Sequence, residues 1–182
     1  VALIAAATGV SCTDTWDDHY SVNGSVPGAT LWENMLLDES IRPFVRVLDS
    51  CGYKDMLNSN QVFTVWAPEI TEEEAQEWIE TYKREKSLGI IDDDNATLNQ
   101  FIRNHIAMYN QQVSSLTEDE TVKMLNGKRL NLTSSMLNGE VNMVGNGVPS
   151  SNGMLYKVDG AATFFPNIWE RIRMDREGDQ GL

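Results

Sequence analysis

The chain has 182 residues, which is enough for one domain of ordinary size with tails. Its net charge is −13, from 27 acidic and 14 basic residues, which argues against binding to nucleic acid and against electrostatic attachment to anionic lipid. Hydrophobic residues make up 41% of the chain, enough to build a core. Cys12 and Cys51 are the only two cysteines, so no disulfide framework is possible if Cys12 is modified.

The N-terminal residues predict a lipid anchor. Residues 1–9 are small and apolar, too few to span a bilayer, and they fit the end of a secretory signal peptide. Gly9-Val-Ser-Cys12 resembles a bacterial lipobox, in which the Cys12 thiol carries the lipid and small neighbours admit the signal peptidase. We therefore interpret residues 1–11 as a partial signal peptide and residues 12–29 as a lipidated tether. An ordinary apolar N-terminal helix is the alternative for residues 1–9.

The first half of the chain predicts helices with recognisable ends. Thr-x-x-Glu capping boxes at Thr30 and Thr71 predict one helix over 31–37 and a second of about four turns from Glu72. Between them, apolar residues recur at helical spacing, Gly52 ends that helix and residues 53–57 add a further turn. The apolar residues of this middle helix are Ile41, Phe44, Val45 and Leu48.

The acidic run 92–95 is the only stretch that suggests calcium. It lacks the glycine and the distant glutamate of an EF-hand loop, so we expect it to cap a helix that starts near Ala96. In that helix, Leu98, Phe101, Ile102 and His105 share one face, which predicts a core or boundary position for His105. The two histidines of the chain form no visible metal pair, so we expect no metal and no cofactor.

Strands are predicted at the centre and in the second half of the chain. Residues 61–68 are β-branched or aromatic on both alternating faces, which predicts a strand covered on both sides and ended by Pro68. Asn126-Gly127 predicts a type I′ hairpin turn between strands 121–125 and 128–132. Further strands are expected over 106–109, 140–144 and 154–158, a glycine-containing loop over 145–152, and no apolar pattern over 173–182.

Four motifs, in order, resemble the fasciclin-like domain family. They are Phe63-Thr-Val-Trp-Ala-Pro68, Leu98-Asn-Gln-Phe-Ile-Arg-Asn-His-Ile106, Val122-Lys-Met-Leu-Asn-Gly127 and Ser151-Asn-Gly-Met-Leu-Tyr-Lys-Val-Asp159. In the first of them, Trp66 stands where the motif of the family has Phe. The resemblance implies an α+β fold, a fasciclin-like β-wedge with a mostly antiparallel sheet packed with several helices. We expect this domain over residues 30–168, with 169–182 as a C-terminal tail or the start of a following domain.

The resemblance also implies a non-enzymatic role in adhesion or protein–protein interaction. A Tyr-His pair is proposed as an adhesion site in animal members of the family. Here Asn104 occupies the tyrosine position and only His105 matches, so the candidate interaction residues are His105, Asn104 and Tyr109. Combined with Cys12, this predicts a lipid-anchored protein of the bacterial outer membrane, exposed at the cell surface, of the Bacteroidetes type.

Two partner classes and one enzymatic reading are left open. The partner is expected to be an outer-membrane or extracellular protein, or a glycan, including a role as accessory subunit of a nutrient-uptake complex of the SusC/SusD type. A glycan-binding protein would need at least two exposed aromatic rings in a shared groove. A hydrolase with two carboxylates is also conceivable, although the 27 acidic residues make chance pairs inevitable and no spacing singles one out.

Overall fold

The structure, a computed structural model, describes residues 28–179. The predictions made for residues 1–27, including the lipidation of Cys12, lie outside the described residues. Within the described part of the chain, no helix is both long and apolar enough to cross a membrane.

A seven-stranded sheet forms the centre of the fold, in the order β2-β1-β7-β6-β5-β4-β3. The β1 and β7 strands are parallel, and every other neighbouring pair is antiparallel. The predicted α+β fold with a mostly antiparallel sheet is therefore confirmed. The strands are β1 (Phe63–Pro68), β2 (Ile106–Ala107), β3 (Glu120–Lys123), β4 (Arg129–Leu132), β5 (Met136–Leu137), β6 (Val141–Ser150) and β7 (Gly153–Val158).

All six residues of β1 are buried, as the two apolar faces of this stretch predict. Val65 belongs to one core cluster, which the helices cover, and Trp66 belongs to a second cluster formed with the hairpin strands. The parallel pairing with β7 begins at Gly153, where φ is +141° and an added Cβ would lie 1.7 Å from the Phe63 carbonyl oxygen. Only glycine fits at this point, so Gly153 fixes how β1 meets β7.

Four helices precede or flank the sheet, and both predicted capping boxes are present. The Thr30 and Thr71 hydroxyls each accept a hydrogen bond from the backbone N–H three residues later. In return, the Glu33 and Glu74 carboxylates accept from the backbone N–H groups of Thr30 and Thr71. Gly52 has φ +80° and follows Cys51, the C-cap of the second helix, as its predicted role as a helix stop requires. The helices are α1 (Leu31–Leu36), α2 (Arg42–Ser50), α3 (Lys54–Leu57) and α4 (Glu72–Ser87).

The helix expected near Ala96 is irregular. Residues Thr97–Phe101 form a π-helical turn and Ile102–His105 continue as a 3-10 helix, which together we call the irregular helical segment. The Asn95 side chain accepts from the Leu98 N–H at 3.1 Å, so the predicted capping role of the acidic run is confirmed at its last residue.

The type I′ turn predicted at Asn126-Gly127 is wrong. Gly127 has φ +79°, but Asn126 lacks the positive φ that this turn requires. Instead, Met124 N–H bonds to Lys128 O and Gly127 N–H bonds to Met124 O, both at 2.9 Å, which makes a three-residue loop. The Leu125 N–H donates to Ile106 O at 2.7 Å, so a tertiary contact sets the loop conformation.

The features of a type I′ turn occur at the next Asn-Gly pair instead. Asn138 and Gly139 have φ values of +58° and +69°, between β5 and β6. The glycine-containing loop expected over 145–152 is also wrong in large part, because β6 continues to Ser150. The pairing of β6 with β7 shifts register between Val144 and Val148. The residues between them form a bulge, and the strand continues beyond it.

The C-terminal residues form a helix that the apolar pattern did not predict. This helix, α5, spans Ile168–Asp179. Asn167 and Glu170 exchange bonds at its start, the Glu170 N–H to Asn167 Oδ1 at 2.9 Å and the Asn167 N–H to Glu170 Oε2 at 2.6 Å. This is the same reciprocal capping arrangement as at α1 and α4, with Asn in place of Thr.

Candidate functional site

His105 lies at the centre of a polar cluster beneath the C-terminal segment. Its side chain is completely buried, and both ring nitrogens are bonded. Nδ1 lies 2.7 Å from Phe101 O, and the Ala162 N–H donates to Nε2 at 2.9 Å. Because Nδ1 must donate and Nε2 must accept, the geometry requires the neutral tautomer with its proton on Nδ1.

Burial lowers the pKa of His105 from 6.5 to about 4, although the bond to Phe101 and the nearby Glu140 carboxylate oppose the shift. The ring is therefore neutral at neutral pH, as its two bonds require. A second proton would place an N–H against the Ala162 N–H and break that contact.

Asn104 ties the same segment to the hairpin turn. It is fully buried, and its Nδ2 donates to Ala162 O at 3.0 Å. Its Oδ1 accepts from Asn126 Nδ2 at 3.0 Å. Residues 161–165, which we call the C-terminal segment, are thus held through Asn104 and His105 together.

Tyr109 forms hydrogen bonds to two strands of the sheet, β3 and β1. It is partly buried, and its hydroxyl accepts from the Lys123 N–H of β3 at 3.1 Å. Its carbonyl oxygen accepts from the Thr64 hydroxyl of β1 at 2.6 Å. Tyr109 and His105 therefore lie in different bonding networks.

The structure does not bring the three predicted interaction residues together as a surface. His105 and Asn104 are 0% exposed, so in the folded domain neither side chain can touch a partner. The physical reason is that all the polar atoms of both side chains are used within the chain, which is what makes their burial tolerable. They hold the C-terminal segment in place.

At the end of the C-terminal segment and in the helix that follows it, large apolar side chains are exposed. Phe165 is 61% exposed, Ile168 78%, Trp169 76% and Ile172 47%. The last three lie at i, i+1 and i+4 of α5, which places them on one side of that helix. We call these four residues the C-terminal apolar face. Contiguous exposed apolar groups of this kind mark interaction sites more often than isolated ones do.

The start of α5 is attached to the hairpin turn by Lys128. Its ammonium group pairs with the Glu170 carboxylate, and both side chains are largely buried. The same ammonium lies 4.9 Å from the centre of the Phe164 ring. Three of the four residues of the C-terminal apolar face therefore lie on a helix whose first turn is fixed to the domain.

Acidic residues do not form a metal centre in the described part of the chain. Residues 28–179 contain no group of three or more His, Cys, Asp or Glu side chains arranged to hold an ion. Arg103 pairs with Asp93, and the Leu98 N–H is capped by Asn95, so parts of the acidic run already serve the fold.

Comparison with known families identifies the domain. A scan against protein families matches residues 39–162 to the family described as Fasciclin domain. The chain belongs to the fasciclin domain family.

Comparison with solved structures gives 18 significantly similar chains. One is a FAS1 domain pair from the insect cell adhesion molecule fasciclin I, with a TM-score of 0.50 and 14% sequence identity. The match covers 75% of this chain and 51% of that chain, so this chain spans about half of the domain pair. At this identity the likeness shows the fold. None of the curated proteins matches the chain significantly.

Within the fasciclin domain, β1 carries Trp66 where the motif that it resembles has Phe. The Trp66 ring is fully buried and stacks on Tyr156 at 6.1 Å. Its Nε1 is a buried polar atom without a hydrogen-bond partner, and no other such side-chain atom occurs among residues 28–179. The larger ring therefore fills the second core cluster but leaves one buried donor unsatisfied.

Proposed function

We propose that this fasciclin-domain protein is a non-enzymatic lipoprotein of the bacterial outer membrane that acts in adhesion or protein–protein interaction at the cell surface. Membership of the fasciclin family supports the domain class. The lipobox-like residues that end at Cys12 support the anchor, and several acyl chains on one cysteine give stable attachment. The acidic residues Asp14, Asp17 and Asp18 after Cys12 resemble the surface-export signals of Bacteroidetes-type lipoproteins and support export to the outer face.

The observation that carries the interaction role is the C-terminal apolar face. Phe165, Ile168 and Trp169 are each more than half exposed, although burying one large apolar side chain is worth about 1.5–3 kcal/mol. Tryptophan is also among the residues that most often dominate binding energy in protein interfaces. We propose that this face, rather than His105 and Asn104, contacts the partner.

The proposed partner is an outer-membrane or extracellular protein. An anchor on Cys12 would hold the domain in that compartment, and a net charge of −13 disfavours anionic lipid and nucleic acid as alternatives. If the partner is an outer-membrane transporter, the protein would act as an accessory subunit of an uptake complex of the SusC/SusD type.

The test begins with the lipidated protein in its native membrane. It would be isolated in mild detergent, and mass spectrometry would identify both the modification of Cys12 and the proteins that co-purify. Each candidate partner would then be purified and its affinity measured for the wild-type domain, for Trp169→Ala and for Leu36→Ala. Leu36 is the matched control, because it is 55% exposed but belongs to α1.

The proposal predicts an acylated Cys12 and a partner whose binding is weakened by Trp169→Ala alone. Loss of a central tryptophan typically costs about 2 kcal/mol or more, which corresponds to roughly 30-fold weaker binding. An unmodified Cys12 would refute the anchor. A partner that binds both variants like the wild type would refute the proposed contact face.

A platform of exposed tryptophans for glycan binding is not supported by the described residues. Trp32 and Trp66 are buried, Trp78 is partly buried, and Trp169 is exposed, so these rings do not share a groove. Trp16 lies outside the described residues. A glycan site would therefore have to be built from other aromatic side chains.

A further inference from the structure

A cleft of about 500 Å³ lies on the domain where several elements meet. Its walls come from the end of α2, from α3 and α4, from the irregular helical segment and from the hairpin turn. The volume falls within the range of roughly 300–1,000 Å³ that is typical of small-molecule sites. The residues used in the argument below are Tyr53, Met56, Tyr82, Asp92, Leu98 and Arg103, all of which line the cleft.

Arg103 and Tyr53 supply hydrogen-bond donors that the fold leaves available. Arg103 Nε donates to the Tyr53 hydroxyl at 2.8 Å, and Nη1 pairs with Asp93. Because the Tyr53 hydroxyl is the acceptor of that bond, its own proton is available to a ligand. The Arg103 side chain is only 20% exposed, so its guanidinium is held in one orientation while Nη2 has no acceptor among the described residues.

The remaining lining gives one acceptor and apolar walls. The Asp92 carboxylate lines the cleft and is exposed. Met56 and Leu98 provide apolar surface, and Tyr82 adds an aromatic ring. Polar and apolar surface share the lining about equally, which suits a ligand that carries both hydroxyl groups and C–H surface.

The charge of the cleft favours a neutral ligand. Arg103 and Lys86, whose ammonium group lies 5.3 Å from the centre of the Tyr82 ring, contribute two positive charges. Asp92 and the Asp93 paired with Arg103 contribute two negative charges, so the charges balance. An anion would compete with Asp93 for the guanidinium in a protein of net charge −13. A cation would be placed next to Arg103. Burial raises the pKa of the Cys51 thiol, which also lines the cleft, to about 12, so a neutral and unreactive thiol faces the ligand.

Two irregularities of the backbone border this cleft. Asp92 has φ +52°, an uncommon conformation for a residue other than glycine. The π-helical turn Thr97–Phe101 ends two residues before Arg103. Both kinds of irregularity are enriched at functional sites, and each contains a residue that lines the cleft, Asp92 in the first and Leu98 in the second.

We propose that this cleft binds a neutral saccharide unit. Arg103 and Tyr53 donate to its ring and hydroxyl oxygens, the Asp92 carboxylate accepts from its hydroxyl groups, and the apolar walls cover its C–H face. Tyr53 is 9% exposed and contributes its hydroxyl group, whereas Tyr82 is the partly exposed aromatic ring of the cleft. The cleft therefore offers one ring, which suits a single saccharide unit and not the two-ring groove expected of a longer glycan. The proposal is independent of the C-terminal apolar face, which none of the cleft residues joins.

The test is an NMR titration of the domain with a panel of neutral mono- and disaccharides. Uronic acids and amino sugars of matching ring structure serve as charged counterparts. The Arg103 Nε–H signal and the methyl groups of Met56 and Leu98 report on the cleft, and the Trp169 indole signal reports on the C-terminal apolar face. We expect saturable shifts at the cleft signals alone, with a dissociation constant of about 1 mM for the preferred saccharide.

Three variants make the test specific. Arg103→Lys keeps the charge but loses the planar fork, and we expect binding about tenfold weaker or worse. Met56→Trp fills the cleft without removing a polar group, and we expect it to abolish binding. Lys83→Ala is the matched control, because Lys83 is exposed on α4 next to Tyr82 but does not line the cleft. We expect it to bind like the wild type.

Several results would overturn the proposal. One is the absence of shifts with every neutral saccharide of the panel. Others are shifts located at Trp169, tighter binding of the charged counterparts, or unchanged binding by both Arg103→Lys and Met56→Trp. None of these results bears on the protein partner of the C-terminal apolar face, so the two proposals fail separately.

Discussion

Protonation of His105 should make the stability of the domain depend on pH in a window where carboxylates contribute little. Burial lowers the pKa of His105 to about 4 from 6.5, so the unfolded chain binds this proton more readily than the folded domain does. The contribution of neutral His105 to the free energy of unfolding is therefore fully present above the unfolded pKa and decreases as the pH falls. At about 1.4 kcal/mol per pKa unit, the total loss is about 3 kcal/mol, of which about 2 kcal/mol is lost between pH 7 and about pH 5.

The carboxylates with lowered pKa values act at lower pH. Hydrogen bonds from Asn138 and Thr163 hold the pKa of Glu140 below its ordinary value of 4.5, despite the opposing effect of burial. The stability that such a group contributes is present above its unfolded pKa and is lost as the pH falls through its lower folded pKa. Above about pH 5, the change is therefore dominated by histidine.

The assay is urea-induced unfolding at pH 7 and at about pH 5 for the wild type, His105→Gln and His19→Gln. His19→Gln removes the other histidine of the chain and measures how much of the pH dependence does not belong to His105. In His105→Gln, the glutamine oxygen can accept from the Ala162 N–H without titrating, so the loss should shrink to less than about 0.5 kcal/mol. A wild type without this loss, or a His105→Gln variant that retains it, would refute the assigned protonation state.

Three further predictions concern stability. Gly153→Ala should destabilise the domain by about 3 kcal/mol or more, because a Cβ there collides with the Phe63 carbonyl. Gly139→Ala, which meets no atom within 4 Å and is strained only in φ, should cost about 1–2 kcal/mol; equal losses in thermal unfolding would contradict this. Trp66→Phe should change stability by less than about 1 kcal/mol, because removal of the unsatisfied Nε1 donor offsets the lost packing, whereas Trp66→Ala should cost about 3–5 kcal/mol. A loss of similar size in both Trp66 variants during denaturant unfolding would argue against an unpaired donor. Asn167→Ala should remove about 1 kcal/mol of local stability from α5, measured as faster amide exchange there than in α4, and unchanged exchange in α5 would show that Glu170 suffices as a cap.

The sequence predicted those features whose causes are local. Thr30 and Thr71 marked two helix starts because a capping box needs only four consecutive residues. The strand at Phe63–Pro68 was predictable from its composition, since both of its faces are buried. The same local signal was present at Asn167 and Glu170 and would have located α5.

The features that the sequence did not predict depend on contacts between residues that are distant in the chain. The turn at Asn126 was mispredicted because the Leu125 N–H bonds to Ile106 and the Asn126 amide bonds to Asn104. The burial of His105 was expected from the pattern of its helix, but its bond to Ala162 joins residues 57 positions apart. The exposure of Trp169 could not be predicted either, because apolar residues that share one side of a helix usually indicate packing against a core.

Site-specific photo-cross-linking in intact cells tests the central claim most directly. A photo-reactive side chain at position 169 lies on the C-terminal apolar face, and one at position 36 is a control of similar exposure on α1. The account predicts that a single outer-membrane or extracellular protein is cross-linked from position 169 and not from position 36, and that changing Cys12 to Ser abolishes the product. Cross-links from position 36 alone, or none from position 169, would contradict the proposed role of the C-terminal apolar face.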